Sequence, residues 1–217
     1  MIYKLAIFEL KKNLFHSRDW LNNAIFLLVN MAIFPFTVSP NLDVLNQFFL
    51  SAIMTSMLLG IVLTTNHIFD EDASDGSLDQ YLVSGVTMPI IYLSRVIAVS
   101  IEFALVLSIV FPALVLLYAI DFSLLIKIWI LLLLSIPLLT SIGIFGSLLT
   151  INLRKSSAVS ILLIFPLLIS ALIILSLASG RILATAEFSS SLAYMEMNLG
   201  FTMLLVPVLC WLTKYLR

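Results

Sequence analysis

The chain has 217 residues, 62% of them hydrophobic and only 11% charged, with a mean hydropathy of +1.17. A soluble domain carries about 25% charged residues, and a soluble fold of this size could not hide so much apolar surface, so the natural solvent is a bilayer. A net charge of −1 excludes a global basic field for nucleic acid, and a single cysteine, Cys210, excludes an internal disulfide framework and the paired cysteines of c-type haem attachment.

Residues 1–18, MIYKLAIFELKKNLFHSR, are charged, and no small-residue cleavage site follows a short apolar run, so they do not read as a cleaved signal. Their periodicity is helical. Tyr3, Ile7, Leu10 and Leu14 recur at four-and-three spacing, while Lys4, Lys11 and Arg18 recur every seven residues on another face. Such a helix suits the membrane interface, with its cations near lipid phosphates. A simple extension of the first span is the alternative, but the apolar stripe needs a partner.

A membrane helix needs about 20 mostly apolar residues. Six such windows follow, at 21–38, 47–66, 96–118, 124–148, 158–177 and 199–213. The expected fold is therefore all-α: one polytopic transmembrane domain over 1–217 with six spans. Orientation follows from Lys and Arg. With six spans, Lys4, Lys11, Lys12, Arg18, Arg95, Arg154, Lys155, Lys214 and Arg217 fall on one side and only Lys127 and Arg181 on the other. Both termini and the long loop at 67–95 are expected in the cytoplasm.

That loop holds the acidic run IFDEDASDGSLDQYL, residues 68–82. Ser77 followed by Gln80 fits a capping box, with Gly76 just before it. Asp79 sits in the first turn, where the helix dipole favours an anion. Gly85 is placed to end the short helix, and Pro89 fits the first turn of the next. Calcium binding of the EF-hand kind is argued against: counting from Asp70, the positions that need Gly and Glu hold Asp75 and Tyr81. No nucleophile or base converges on the acids to make a catalytic carboxylate pair. A solvated acidic loop is the plain reading, and a docking surface for a cytoplasmic partner is the sharper one.

The ordered residues Phe69, Asp72, Asp75-Gly76-Ser77-Leu78, Gln80 and Leu82 resemble the central loop of the haem exporter protein B (CcmB) family of cytochrome c maturation. Phe15-His16-Ser17, Phe34-Pro35, the basic pair Arg154-Lys155 and Pro166 follow the same family order, so the resemblance covers essentially the whole chain. Tyr81 and Val83-Ser84-Gly85-Val86 depart from the family's leucine- and proline-rich continuation. The resemblance implies an ABC-2-like permease subunit of a bacterial inner membrane, or a mitochondrial inner membrane if organellar. It would work with a separate ATP-binding cassette subunit, a haem-handling membrane subunit and a periplasmic haem chaperone, as a homodimer or heterodimer of membrane subunits. It also implies a docking and coupling role for Phe69, Asp70, Asp72, Asp75, Gly76, Ser77, Leu78, Asp79, Gln80 and Leu82, with Arg154 and Lys155 as a second cytoplasmic contact. ATP would be used by the partner, haem would be the pathway substrate, and this chain would hold no cofactor or metal and catalyse nothing.

The residues agree with the missing engine, since no G-x-x-x-x-G-K-[ST] phosphate loop occurs. They offer little to haem. His16 and His67 both lie at the cytoplasmic edge, Cys210 lies inside span six, and Trp20, Trp129 and Trp211 are scattered. Glu102 is the one acid placed inside a span, and a direct pair with Arg95, seven residues back, is doubtful from helical rise. Gly143, Gly146 and Ser147 form a small-residue patch in span four that suits close packing at a subunit interface. The topology alone equally fits an ABC-2 permease for a lipid, drug or glycan, or a membrane scaffold without an ATPase.

Overall fold

The computed structural model describes residues 2–13, 19–37, 42–65, 68–118, 120–150, 157–185 and 187–215. In these, nine α-helices follow one another: α1 (Ile2–Lys11), α2 (Asp19–Thr37), α3 (Leu42–Thr65), α4 (Asp70–Ser74), α5 (Ser77–Val83), α6 (Met88–Tyr118), α7 (Phe122–Thr150), α8 (Ser157–Thr185) and α9 (Leu192–Leu212). Six of them, α2, α3, α6, α7, α8 and α9, are long and apolar enough to cross a membrane. In hydrocarbon no water is available to the backbone, so a spanning segment must satisfy its polar groups internally, as a helix does.

Helix α7 is central and packs against α3, α6, α8 and α9. Phe49, Ile53, Met57 and Ile61 recur every fourth residue along α3 and are fully buried. On α6, Val99, Phe103, Val106, Leu107 and Val110 face inward, while Ile97, Ile101, Leu105 and Ile109 form an exposed stripe one helical face away. A water-soluble protein would not present that stripe; lipid tails cover it without cost.

Direct hydrogen bonds link the spans. Asn30 of α2 donates to Ser56 Oγ of α3 at 3.0 Å, Tyr118 OH of α6 to the Met31 carbonyl of α2 at 2.8 Å, and Tyr92 OH of α6 to the Ser141 carbonyl of α7 at 2.9 Å. Asn198 of α9 donates to Ser135 Oγ of α7 at 3.1 Å. Glycines admit the closest approaches. A Cβ on Gly143 would lie 2.4 Å from Thr65 Oγ1 of α3, and one on Gly146 would lie 2.3 Å from Ile164 Cγ2 of α8. The small-residue patch of span four is thus filled from within the chain rather than kept for another subunit.

Four span boundaries differ from the sequence reading, the second helix starting at Leu42 rather than 47. The third helix begins at Met88, not 96, so Arg95 belongs to the helix and the loop ends near 87. The fifth runs on to Thr185, past Arg181, and the sixth starts at Leu192, so Glu196 as well as Glu102 lies in a spanning helix. At 31 residues α6 is about 46 Å long, against about 30 Å of hydrocarbon. Arg95 lies about 10 Å from its start, so the excess length accommodates the charge near one interface.

Candidate functional site: a buried ion cluster under the loop

Helix α1 rests on α6 by a face beside its apolar stripe. Tyr3 is three-quarters exposed and Phe8 also faces out, while Ala6 and Glu9 are buried against the bundle. The reason is electrostatic: Glu9, Lys12 and Asn13 share a face at helical spacing, and each meets a polar partner. Leu14 and Arg18 lie outside the described residues.

That partner surface centres on Arg95, one of the largest fully buried side chains. Its guanidinium carbon sits 4.3 Å from the centroid of the Phe69 ring. One terminal nitrogen donates to the Ile68 carbonyl. The other pairs with Asp72 and lies 3.6 Å from Glu9 Oε1. Lys12 Nζ, reaching in from water, lies 3.2 Å from the second Asp72 oxygen. A guanidinium suits this position because its planar fork serves two carboxylates and a carbonyl while its face stacks on a ring. One turn further on, Asn13 Nδ2 donates to Glu102 Oε2 at 2.8 Å, and Glu102 is buried.

Above this cluster the loop is ordered by local chemistry. Asp75 Oδ1 accepts from the Ser77 N–H at 2.9 Å. That hydrogen bond, with the Ser77 hydroxyl next, holds the Asp75 carboxyl below its ordinary value of 3.8. Gly76, with φ +78, is the N-cap of α5 and no side chain caps the helix. The expected Ser77–Gln80 capping box is therefore not formed. The box needs Ser at the cap, and the left-handed turn puts Gly there, one residue too early. At the other end Gly85 has φ +86; its N–H donates to the Leu82 carbonyl at 3.1 Å and the Val86 N–H to the Tyr81 carbonyl at 3.0 Å. This is the Schellman pattern, and Pro89 follows in the first turn of α6 as expected. Burial pushes the Tyr81 phenol above its ordinary value of 10.0, with the Glu9 carboxylate adding to the rise.

The expected docking residues divide in two. Phe69, Asp72 and Leu78 are buried, so Asp72 is not part of a solvated acidic front. Asp75, Asp79 and Gln80 are exposed, Gly76, Ser77 and Leu82 are half-buried, and Val83 is 90% exposed on the same short helix. Asp70 opens α4, but its side chain and that of Glu71 lie outside the described residues, as do Arg154, Lys155, His16 and His67. Sequence reasoning missed Glu9, Lys12, Asn13 and Arg95. The signal was present as polar residues three and four apart on α1, and as two ionisable residues seven apart on one apolar helix.

Among the described residues no cluster of His, Cys, Asp and Glu has the makings of a metal site. The Cys210 thiol of α9 faces the Pro89 carbonyl at 3.8 Å, and the Trp129 ring packs on Phe111 at 6.3 Å between centroids. The Cys210 contact also sets the end of α9 beside the start of α6, at the end of the bundle that carries α1 and the loop.

Six apolar spanning helices, with a short charged helical loop locked onto one end, define a polytopic all-helical membrane protein of the permease type. Residues 1–211 match the sequence profile of the CcmB protein, and the chain belongs to that family. It is 30% identical over 168 residues to heme exporter protein B of Haemophilus influenzae, covering 77% of this chain and 76% of the relative. It is 28% identical over 166 residues to heme exporter protein B of Pseudomonas aeruginosa, covering 76% and 73%. The Bradyrhizobium diazoefficiens protein of that name is 29% identical over 149 residues, covering 69% and 67%.

Proposed function

We propose that this chain is the single-domain membrane subunit of an ABC-type complex that exports or delivers haem for c-type cytochrome assembly. In this reading ATP is bound and hydrolysed by a separate chain, and the present chain is non-catalytic. The complex sits in a bacterial inner membrane, with this chain's termini and loop in the cytoplasm. A haem-handling membrane subunit and a periplasmic haem chaperone work on the other face. The observation that carries the reading is family membership over residues 1–211, in relatives named heme exporter protein B.

The docking surface is assigned to the exposed side of the loop: Asp75, Asp79, Gln80 and Val83. Charge there orients the encounter with the ATP-binding subunit, and the exposed Val83 gives a small apolar anchor. Closure of two nucleotide-binding subunits then pushes α5 and tilts the helices attached to it.

The test reverses Asp75 and Asp79 to Lys, leaving buried Asp72 untouched. Co-purification of the ATP-binding subunit and the yield of c-type cytochromes are measured together. Both are expected to fall several-fold. Wild-type association and yield in the double variant would sink the docking assignment.

A further inference from the structure

Three segments far apart in sequence meet on one side chain. Glu9 comes from α1, the Ile68 carbonyl, Phe69 and Asp72 from the loop, and Arg95 from α6. The side chains of Arg95, Asp72 and Glu9 are 2%, 5% and 7% exposed. At that depth a charge without its partner is strongly disfavoured, so the cluster holds together as a unit. The helices above it do not stand alone: α4 has 5 residues and α5 has 7, far fewer than an isolated helix needs. Their order depends on what lies beneath, and Phe69, Asp72 and Leu78 are the residues that reach down.

We propose that Arg95 is the positioning residue for coupling. It binds the loop to α1 and α6, so that a push on the exposed side of the loop moves the N-terminal helix and the third span together as one body. Lys12, bridging α1 to Asp72 from the solvent side, is the second tie. Phe69 and Asp72 thus serve the anchor, while Asp75, Asp79, Gln80 and Val83 face the partner. This rests on the docking role proposed above.

Two measurements test it on the full complex. In a Cys210→Ala background, spin labels are placed at Tyr3 on α1 and Ala73 on α4, both exposed. Their distance distribution is recorded without nucleotide and with ATP trapped. A single, unchanged distance is expected; a nucleotide-dependent change would show that loop and α1 move apart and would overturn the proposal.

The second measurement uses Glu9→Gln, Asp72→Asn and Arg95→Met together, which leaves no unpaired buried charge. This variant is expected to hold the ATP-binding subunit at wild-type levels, to broaden the label distance and to lower c-type cytochrome yield about tenfold. Arg95→Lys alone is expected to fall between it and wild type. Wild-type yield in the triple variant would overturn the proposal, and so would loss of the ATP-binding subunit, which would make these residues part of the docking surface itself. Failure of the docking reading shows separately, as unchanged association when Asp75 and Asp79 are reversed.

Discussion

Asn13 and Glu102, 89 positions apart, are joined at 2.8 Å, the amide of the N-terminal segment donating to a carboxylate set into the third spanning helix. An ionised group at mid-bilayer costs about 2.5–3.5 kcal/mol on insertion scales. Here the acid lies two turns beyond Arg95 and is met by an amide entering from the interface, which lowers that cost. Glu102→Gln keeps an acceptor for Asn13 and removes the ionisable group. Its thermal stability in detergent is expected within about 1 kcal/mol of wild type. Glu102→Lys points a cation at the Asn13 donor in a buried site and is expected to lose roughly 3 kcal/mol or more. Equal melting temperatures for the two variants would contradict this account.

The close approach at Gly143 makes a second expectation. An added methyl would meet Thr65 at 2.4 Å, and the Thr65 hydroxyl is itself tied to the Ile61 carbonyl at 2.8 Å, so it has little room to move. Gly146→Ala meets Ile164 in the same way. Each substitution is expected to cost about 1–3 kcal/mol by overpacking. Gly200→Ala on α9, where nothing lies within 4 Å, is the control, expected within about 0.5 kcal/mol of wild type. Thermal unfolding in one detergent compares the three.

The errors in the sequence reading have a common cause. Three of the misplaced span ends were set short of Arg95, Arg181 or Glu196, each of which interrupts an apolar run. A charge does not end a helix whose backbone bonds are all internal; it needs only a partner or an interface within reach. Arg95 has Glu9 and Asp72, while Arg181 lies about one turn from the end of α8 and Glu196 about one turn from the start of α9. The short loop helix, its stop at Gly85 and the early Pro89 were legible because such signals act within a few residues. The cluster under the loop was not, because Glu9, Asp72 and Arg95 are brought together only by tertiary packing. Asp72 therefore read as one more solvated acid, and Gly143 as an interface, until the helices that cover them were in place.

Asp75 supplies a pH expectation. Its carboxylate accepts the Ser77 N–H, which holds its pKa below 3.8. The unfolded chain therefore takes up a proton before the folded loop does. The contribution of this turn to stability is fully present above the ordinary carboxylate value and is lost as pH falls through the lowered one. Amide exchange in α5, corrected for its intrinsic rate, is expected to be flat from about pH 5 to 8 and to rise only below about pH 4. A carboxyl titration followed by NMR on ¹³C-labelled protein is expected to show a midpoint for Asp75 below 3.8. A midpoint above that value would mean the Ser77 hydrogen bond does not persist in solution.

The stop of α5 depends on one backbone conformation. Gly85 has φ +86 and no atom within 4 Å of where its Cβ would lie, so a substitution there meets strain rather than a clash. A left-handed residue other than Gly costs about 1–2 kcal/mol. Asn tolerates the conformation better than Ala because its side chain bonds locally. Gly85→Ala is expected to loosen the Schellman turn and hasten proteolysis at residues 82–87, with Gly85→Asn intermediate. The six spans would be untouched, so detergent melting is expected to shift little. Val86 is buried beyond the turn and leads into α6, so under the coupling role proposed above slackening here also weakens transmission from the loop. The yield of c-type cytochromes is therefore expected to fall in the order wild type, Asn, Ala. Proteolysis at the wild-type rate in Gly85→Ala would show that burial of Leu78 and Val86, rather than the turn, holds the loop in shape.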